Sequence, residues 1–108
     1  MEDLRIEGHI WLETPKGLKI GRGRALLLEF IEKTGSIAAA ARSTNISYRK
    51  AWGMVQEMNQ FAPLPLVIKN VGGREGGGTF LTKEGKSLLV KFRKINQEFN
   101  QFKDKNAN

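Results

Sequence analysis

The chain has 108 residues, 18 Lys and Arg against 11 Asp and Glu, a net charge of +7, and no cysteine. That length suits one domain with one modest core, and the lack of cysteine excludes a disulfide framework or a thiolate metal site. Residues 14–94 hold 15 basic and 5 acidic side chains, so the positive charge is local. Two readings follow from this: a surface for a polyanion such as nucleic acid, or an ordinary solvated basic face.

The first segment, "MEDLRIEGHIWLE", is acidic and alternating, unlike a secretory signal, and no apolar run approaches the ~20 residues of a membrane span. The expectation is a soluble, cytoplasmic protein. Leu4, Ile6, Ile10 and Leu12 fall on even positions, which predicts a half-buried strand over Leu4–Leu12. Trp11 breaks the alternation and has two readings, cover for a neighbouring element or contact with a partner chain. His9, the only histidine, lies on the wet face without a catalytic partner in view.

A turn around Pro15 and Gly17 leads to a helix, "RALLLEFIEKTG", with Leu26, Leu27, Phe30 and Ile31 as its apolar stripe and Gly35 as its C-terminal cap. Gly21 and Gly23 have the interval of a dinucleotide fingerprint, but Leu26 occupies the third glycine position, so that motif is discarded. Ser36 then caps a short helix containing Ala38 to Ala41, whose small side chains permit a close helix crossing. The residues "STN" favour a turn, and Ser47 caps a further helix, "YRKAWGMVQEMNQF". Two short helices joined this way predict a helix-turn-helix.

In the second of these helices, Ala51, Trp52, Val55 and Met58 form the expected apolar side, and Arg49, Gly53, Gln56 and Gln60 form an exposed row. The row suits either a recognition helix reading base edges from its cationic first turn or a plain solvated stripe. "PLPLVIKNV" and "GTFLT" predict two strands of a hairpin around "GGREGGG", where five of the seven residues 72–78 are glycine. A Walker-type phosphate loop is rejected there: Gly85-Lys86-Ser87 requires a glycine five residues upstream of Gly85, the position is Phe80, and the tripeptide lies inside a helix. The glycine stretch therefore reads as a hairpin tip presenting Arg74, and after a helix-turn-helix such a hairpin is a wing.

Thr82 caps a last helix over 83–103 carrying Leu88, Phe92, Ile95, Phe99 and Phe102 at heptad-like spacing, a candidate dimerisation seam to which Trp11 would add. Residues 1–103 are expected to form one domain, with 104–108 a disordered tail. The "NIS" tripeptide at Asn45 matches a glycosylation acceptor, but inside a helix-turn-helix it reads as coincidence.

The stretches "GSIAAAARSTNISYRKAWGMVQEMN" and "GGREGGGTFLTKEGKSLL", in this order of elements, resemble the N-terminal DNA-binding domain of the molybdate-responsive ModE regulators, itself related to the helix-turn-helix of LysR-type regulators. The resemblance covers about residues 4–100. It implies an α+β, mainly α fold: a winged helix-turn-helix with an N-terminal strand, a two-stranded wing and a long C-terminal dimerisation helix. It places Ser47, Tyr48, Arg49 and Lys50 at the start of the recognition helix and Gly72 to Gly78 in the wing. Thr44, where related proteins often bury Leu, and the acidic Glu75 depart from the family pattern.

The function implied is sequence-specific binding of double-stranded DNA by a homodimer. Base contacts are expected from Arg49, Gln56 and Tyr48, and phosphate contacts from Arg22, Arg24, Lys50, Lys69 and Lys83, with Arg74 at the wing. No cofactor is expected, and nothing in these residues encodes a molybdate site. The alternatives are a winged-helix protein-interaction module or a non-specific nucleic-acid binder. Enzymatic chemistry has no paired-carboxylate, Ser/His, Cys/His or metal-ligand spacing behind it.

Overall fold

The computed structural model describes residues 3–70 and 78–107. The element order is β1 (Leu12–Glu13), β2 (Lys19–Ile20), α1 (Arg22–Thr34), α2 (Ile37–Thr44), α3 (Tyr48–Phe61), β3 (Val67–Asn70), β4 (Gly78–Leu81) and α4 (Lys83–Lys105). Both strand pairs are antiparallel hairpins. The result is the expected mainly helical winged helix: α2 and α3 form the helix-turn-helix, and β3–β4 form the base of the wing.

Local sequence explains each helix boundary. Gly35 ends α1 in the left-handed region at φ 69°, and its N–H donates to the Ile31 carbonyl. The Ser36 hydroxyl then accepts from the Ala39 N–H and starts α2. Asn45 closes α2 at φ 59°, a conformation that asparagine tolerates better than most residues, and Ser47 caps α3 through the Lys50 N–H. Ala40, Ala41 and Ala51 are buried where α2 meets its neighbours, so the backbones approach closely.

The core is centred on Leu27, Leu28 and Ile31 of α1, with Ala40, Val55, Met58, Leu81, Leu89 and Phe92 around them. This corrects the expected stripe on α1. Leu26 is 41% exposed, while Ala25 and Leu28 face inward, because α1 is packed by α2, α4 and β4 together and buries a broad arc. Trp52, expected on the apolar side of α3, is likewise 46% exposed.

The strand expected over Leu4–Leu12 is reduced to Leu12–Glu13, paired with Ile20 and Lys19. Among the described residues its partner is β2, which stops where α1 begins, so the ladder ends after two residues. The alternation survives only in part without the strand: Ile6, Ile10 and Leu12 are partly buried and Arg5, Glu7, His9 and Glu13 are exposed, but Leu4, expected on the inner face, is 56% exposed because no element among the described residues packs over the start of the segment. The Trp11 indole N–H donates to the Glu13 carboxylate at 2.8 Å, and the Lys19 ammonium lies 4.4 Å from the ring centroid.

The last helix continues to Lys105, two residues into the expected tail, because Asn106 turns both its backbone N–H and its side-chain amide onto the Phe102 carbonyl. Phe92 of the proposed seam is taken into the monomer core, Leu88, Ile95 and Phe99 are half-buried, and Phe102 is 53% exposed. Projection of α4 gives the molecule extents of 62 × 30 × 21 Å. No helix among the described residues is long and apolar enough to cross a membrane.

Gly85 settles how α4 meets the wing. A Cβ there would collide with the Leu66 carbonyl oxygen, a backbone atom that cannot swing away. Gly85→Ala is therefore expected to lower stability by about 2–3 kcal/mol through overpacking. Urea unfolding would show the midpoint falling, and an unchanged midpoint would contradict the contact.

Candidate nucleic-acid interface

One face of α3 has nothing of its own chain over it among the described residues. Arg49, Gly53, Gln56 and Gln60 are all exposed there, as the spacing requires, and Tyr48, Lys50 and the cap Ser47 are exposed at the helix start. An added Cβ at Gly53 would meet no atom within 4 Å, so the helix surface is bare at its centre. No acidic residue sits in the first turn to oppose the positive end of the helix dipole.

The wing base borders this face. A cavity of about 320 Å³ is lined by Gly35, Ser36, Ile37, Ala38, Tyr48, Lys69, Gly78 and Thr79, joining the start of α2, the first turn of α3 and both wing strands. The Thr79 N–H donates to the Gly35 carbonyl at 2.9 Å, pinning β4 against the α1–α2 corner. The first turn of α3 and the wing base therefore share one side of the molecule. Arg74 and Glu75, with most of the glycine stretch, lie outside the described residues.

Asn59 holds this arrangement together, and sequence spacing gave it no role. Its Oδ1 accepts from the N–H groups of Leu66 and Val67 at 2.9 and 3.2 Å, and its Nδ2 donates to the Val67 carbonyl at 2.9 Å. The amide thus mimics a neighbouring strand and ties α3 to β3. No pattern of hydrophobicity marks such a residue, because only the folded loop brings positions 59 and 66 together.

The expected phosphate-contacting cations divide into separate places. Lys69 joins Tyr48 beside the wing. Arg22 and Arg24 line another cavity, of about 530 Å³, with His9, Trp11, Lys19, Met54 and Glu57. Glu57 is nine residues after Tyr48 and so lies half a turn around α3, on the edge away from the wing. Arg24 is engaged with the Glu57 carboxylate at 2.9 Å, whereas Arg22 is exposed. Lys83 is exposed at the start of α4 beside Lys86, Ser87 and Val90. Among the described residues no group of three or more His, Cys, Asp or Glu is placed to hold a metal ion.

Known proteins fit this geometry. No family model matches the chain. A molybdenum transport protein ModE of Azotobacter vinelandii is 38% identical over 105 residues, 97% of this chain and 39% of that protein. The chain matches the N-terminal domain of ModE proteins. The transcriptional regulator ModE of Haemophilus influenzae is 40% identical over 78 residues, covering 72% of this chain and 31% of its own length. The molybdenum-pterin-binding protein MopB of Rhodobacter capsulatus is 43% identical over 79 residues, 73% of this chain and 29% of that protein. The chain thus spans about two fifths or less of the length of these relatives. An F27L mutant of S. aureus MepR, solved with an oligodeoxyribonucleotide, superposes with a TM-score of 0.61 at 15% identity over 82% of this chain and 67% of its own, a likeness of fold.

Thr44, the departure from the ModE pattern within α2, is half-buried, and its hydroxyl turns back onto the Ala40 and Ala41 carbonyls at 2.9 and 3.2 Å. The polar atom is thereby satisfied inside its own helix and the crossing stays closed. Asn59 is the more sensitive point of the domain. Asn59→Ala would strip partners from two N–H groups and one carbonyl and is expected to cost about 2–3 kcal/mol. Hydrogen exchange should then quicken at Leu66 and Val67 before it does in α1, and uniform quickening would speak against a local tie.

Proposed function

We propose that this domain is a sequence-specific, double-stranded-DNA-binding transcriptional regulator of the ModE type that acts in the cytoplasm as a homodimer. The observation carrying the reading is the uncovered Arg49–Gly53–Gln56 face of α3, bordered on one edge by Tyr48 and Lys69 at the wing base. In this reading α3 enters the major groove. Arg49 donates to a guanine edge, Gln56 and Tyr48 contact neighbouring bases, and Lys50, Lys69, Lys83, Arg22 and Arg74 neutralise phosphates, with Arg24 joining them by exchanging its Glu57 partner for phosphate. The domain performs no covalent chemistry. Pairing runs through the outer part of α4, where Ile95, Phe99 and Phe102 keep accessible apolar surface, with Trp11 contributing.

Three measurements test it. Duplex selected from random sequence by the purified protein should bind Arg49→Ala about 10- to 100-fold more weakly than wild type, with preference relaxed at one base pair per half-site. Equal losses on selected and random duplex would remove Arg49 from base recognition. Affinity should fall steeply with salt, at a logarithmic slope near −0.9 per phosphate neutralised, and a flat profile would favour a protein-interaction module. Sedimentation should show a wild-type dimer and an Ile95→Asp monomer; two monomers would end the α4 seam.

A further inference from the structure

Trp52 is the residue of α3 whose place differs most from its spacing. The apolar grouping expected for α3 counts it with Ala51, Val55 and Met58, but the indole is 46% exposed while those three are buried. It stands one turn after Tyr48, itself exposed, one turn before Gln56, and beside Gly53, where the helix backbone is bare. At 100° per residue, Trp52 lies between the core arc and the Arg49–Gly53–Gln56 row, on the edge that also carries Tyr48 and Asn59. That is the edge toward the wing.

An indole offers apolar area and one N–H donor, with no acceptor. In the major groove the complementary group is the 5-methyl of thymine, the one apolar substituent on a base edge there. The bare surface at Gly53 lets the α3 backbone approach closely enough for a side chain at the flank, and not only one at the centre, to reach a base. Resting on the DNA-binding reading above, we propose that Trp52 is a specificity-determining residue that packs on the methyl group of a thymine flanking the base pair read by Arg49. Arg49 then reads by hydrogen bonds and Trp52 by apolar contact, two signals that different base substitutions can separate.

The experiment uses the full chain and duplex that it selects from random sequence. Each thymine of the selected site is replaced in turn by deoxyuridine, which removes the methyl and leaves pairing intact. Wild type is expected to lose about fourfold in affinity at one position per half-site, the equivalent of one buried methyl group. Trp52→Ala should bind the thymine and uracil versions equally there, and Trp52→Phe should keep part of the difference, with far-UV circular dichroism confirming that both variants fold. Three outcomes overturn the assignment: a wild type blind to uracil at every position, a thymine preference that persists in Trp52→Ala, or a Trp52→Ala loss equal on selected and random duplex. A wild type that enriches no sequence overturns the DNA reading as well, and so is distinguishable from failure of Trp52 alone.

Discussion

The backbone of Leu66 is the point on which three elements converge. Its N–H donates to Asn59 at the end of α3, its carbonyl accepts from the Thr82 N–H at the start of α4, and that same carbonyl rests on the bare Cα of Gly85. Thr82 adds to the junction, its hydroxyl donating to the Pro65 carbonyl at 2.7 Å while accepting from the Gly85 N–H. Backbone groups leaving a helix and entering an edge strand would otherwise lose water without gaining partners, at a cost comparable to a lost hydrogen bond for each. Both backbone groups of Leu66 are met here, which fixes the base of the wing against α3 and α4.

A second constraint works at the other side of the wing. The Thr79 backbone N–H reaches the Gly35 carbonyl, and the left-handed turn at Gly35 presents that carbonyl outward. The hairpin is therefore held at both strands, by α3 through β3 and by the α1–α2 corner through β4. Val67 and Leu81, paired across the hairpin, point into the core, and Ile68 and Phe80, the next pair, point away from it. A hairpin tied at its base in this way holds Lys69 and Gly78 beside Tyr48 in the first turn of α3.

Charge around α3 is arranged unevenly. Lys69 stands on the wing edge, whereas on the opposite edge Glu57 engages Arg24 and leaves Arg22 exposed. Elsewhere Glu29 forms an ion pair with Arg93 at 2.8 Å, joining α1 to α4, and lies 3.6 Å from Lys33. Such partly exposed pairs add little to stability, on the order of 0–1 kcal/mol, but they decide which cations retain unneutralised charge. A formal count of basic residues overstates the number available to a polyanion for this reason.

What the sequence determined by itself was everything that depends on near neighbours in the chain. The caps Ser36, Ser47 and Thr82, the glycine end of α1, the alanine crossing and the exposed Arg49–Gln56 row all act within a turn or two of helix, so spacing alone reveals them. The mainly helical winged-helix fold was legible from their order. Only the tertiary structure decided the rest, because it turns on which surfaces meet. The alternating Leu4–Leu12 segment found no partner beyond Leu12 and Glu13, Leu28 displaced Leu26 on the inner face of α1, and Phe92 went to the core of its own chain. Asn59 acquired its partners from the turn that brings Leu66 and Val67 back against the end of α3, and the periodicity of hydrophobic residues carries no record of such a contact.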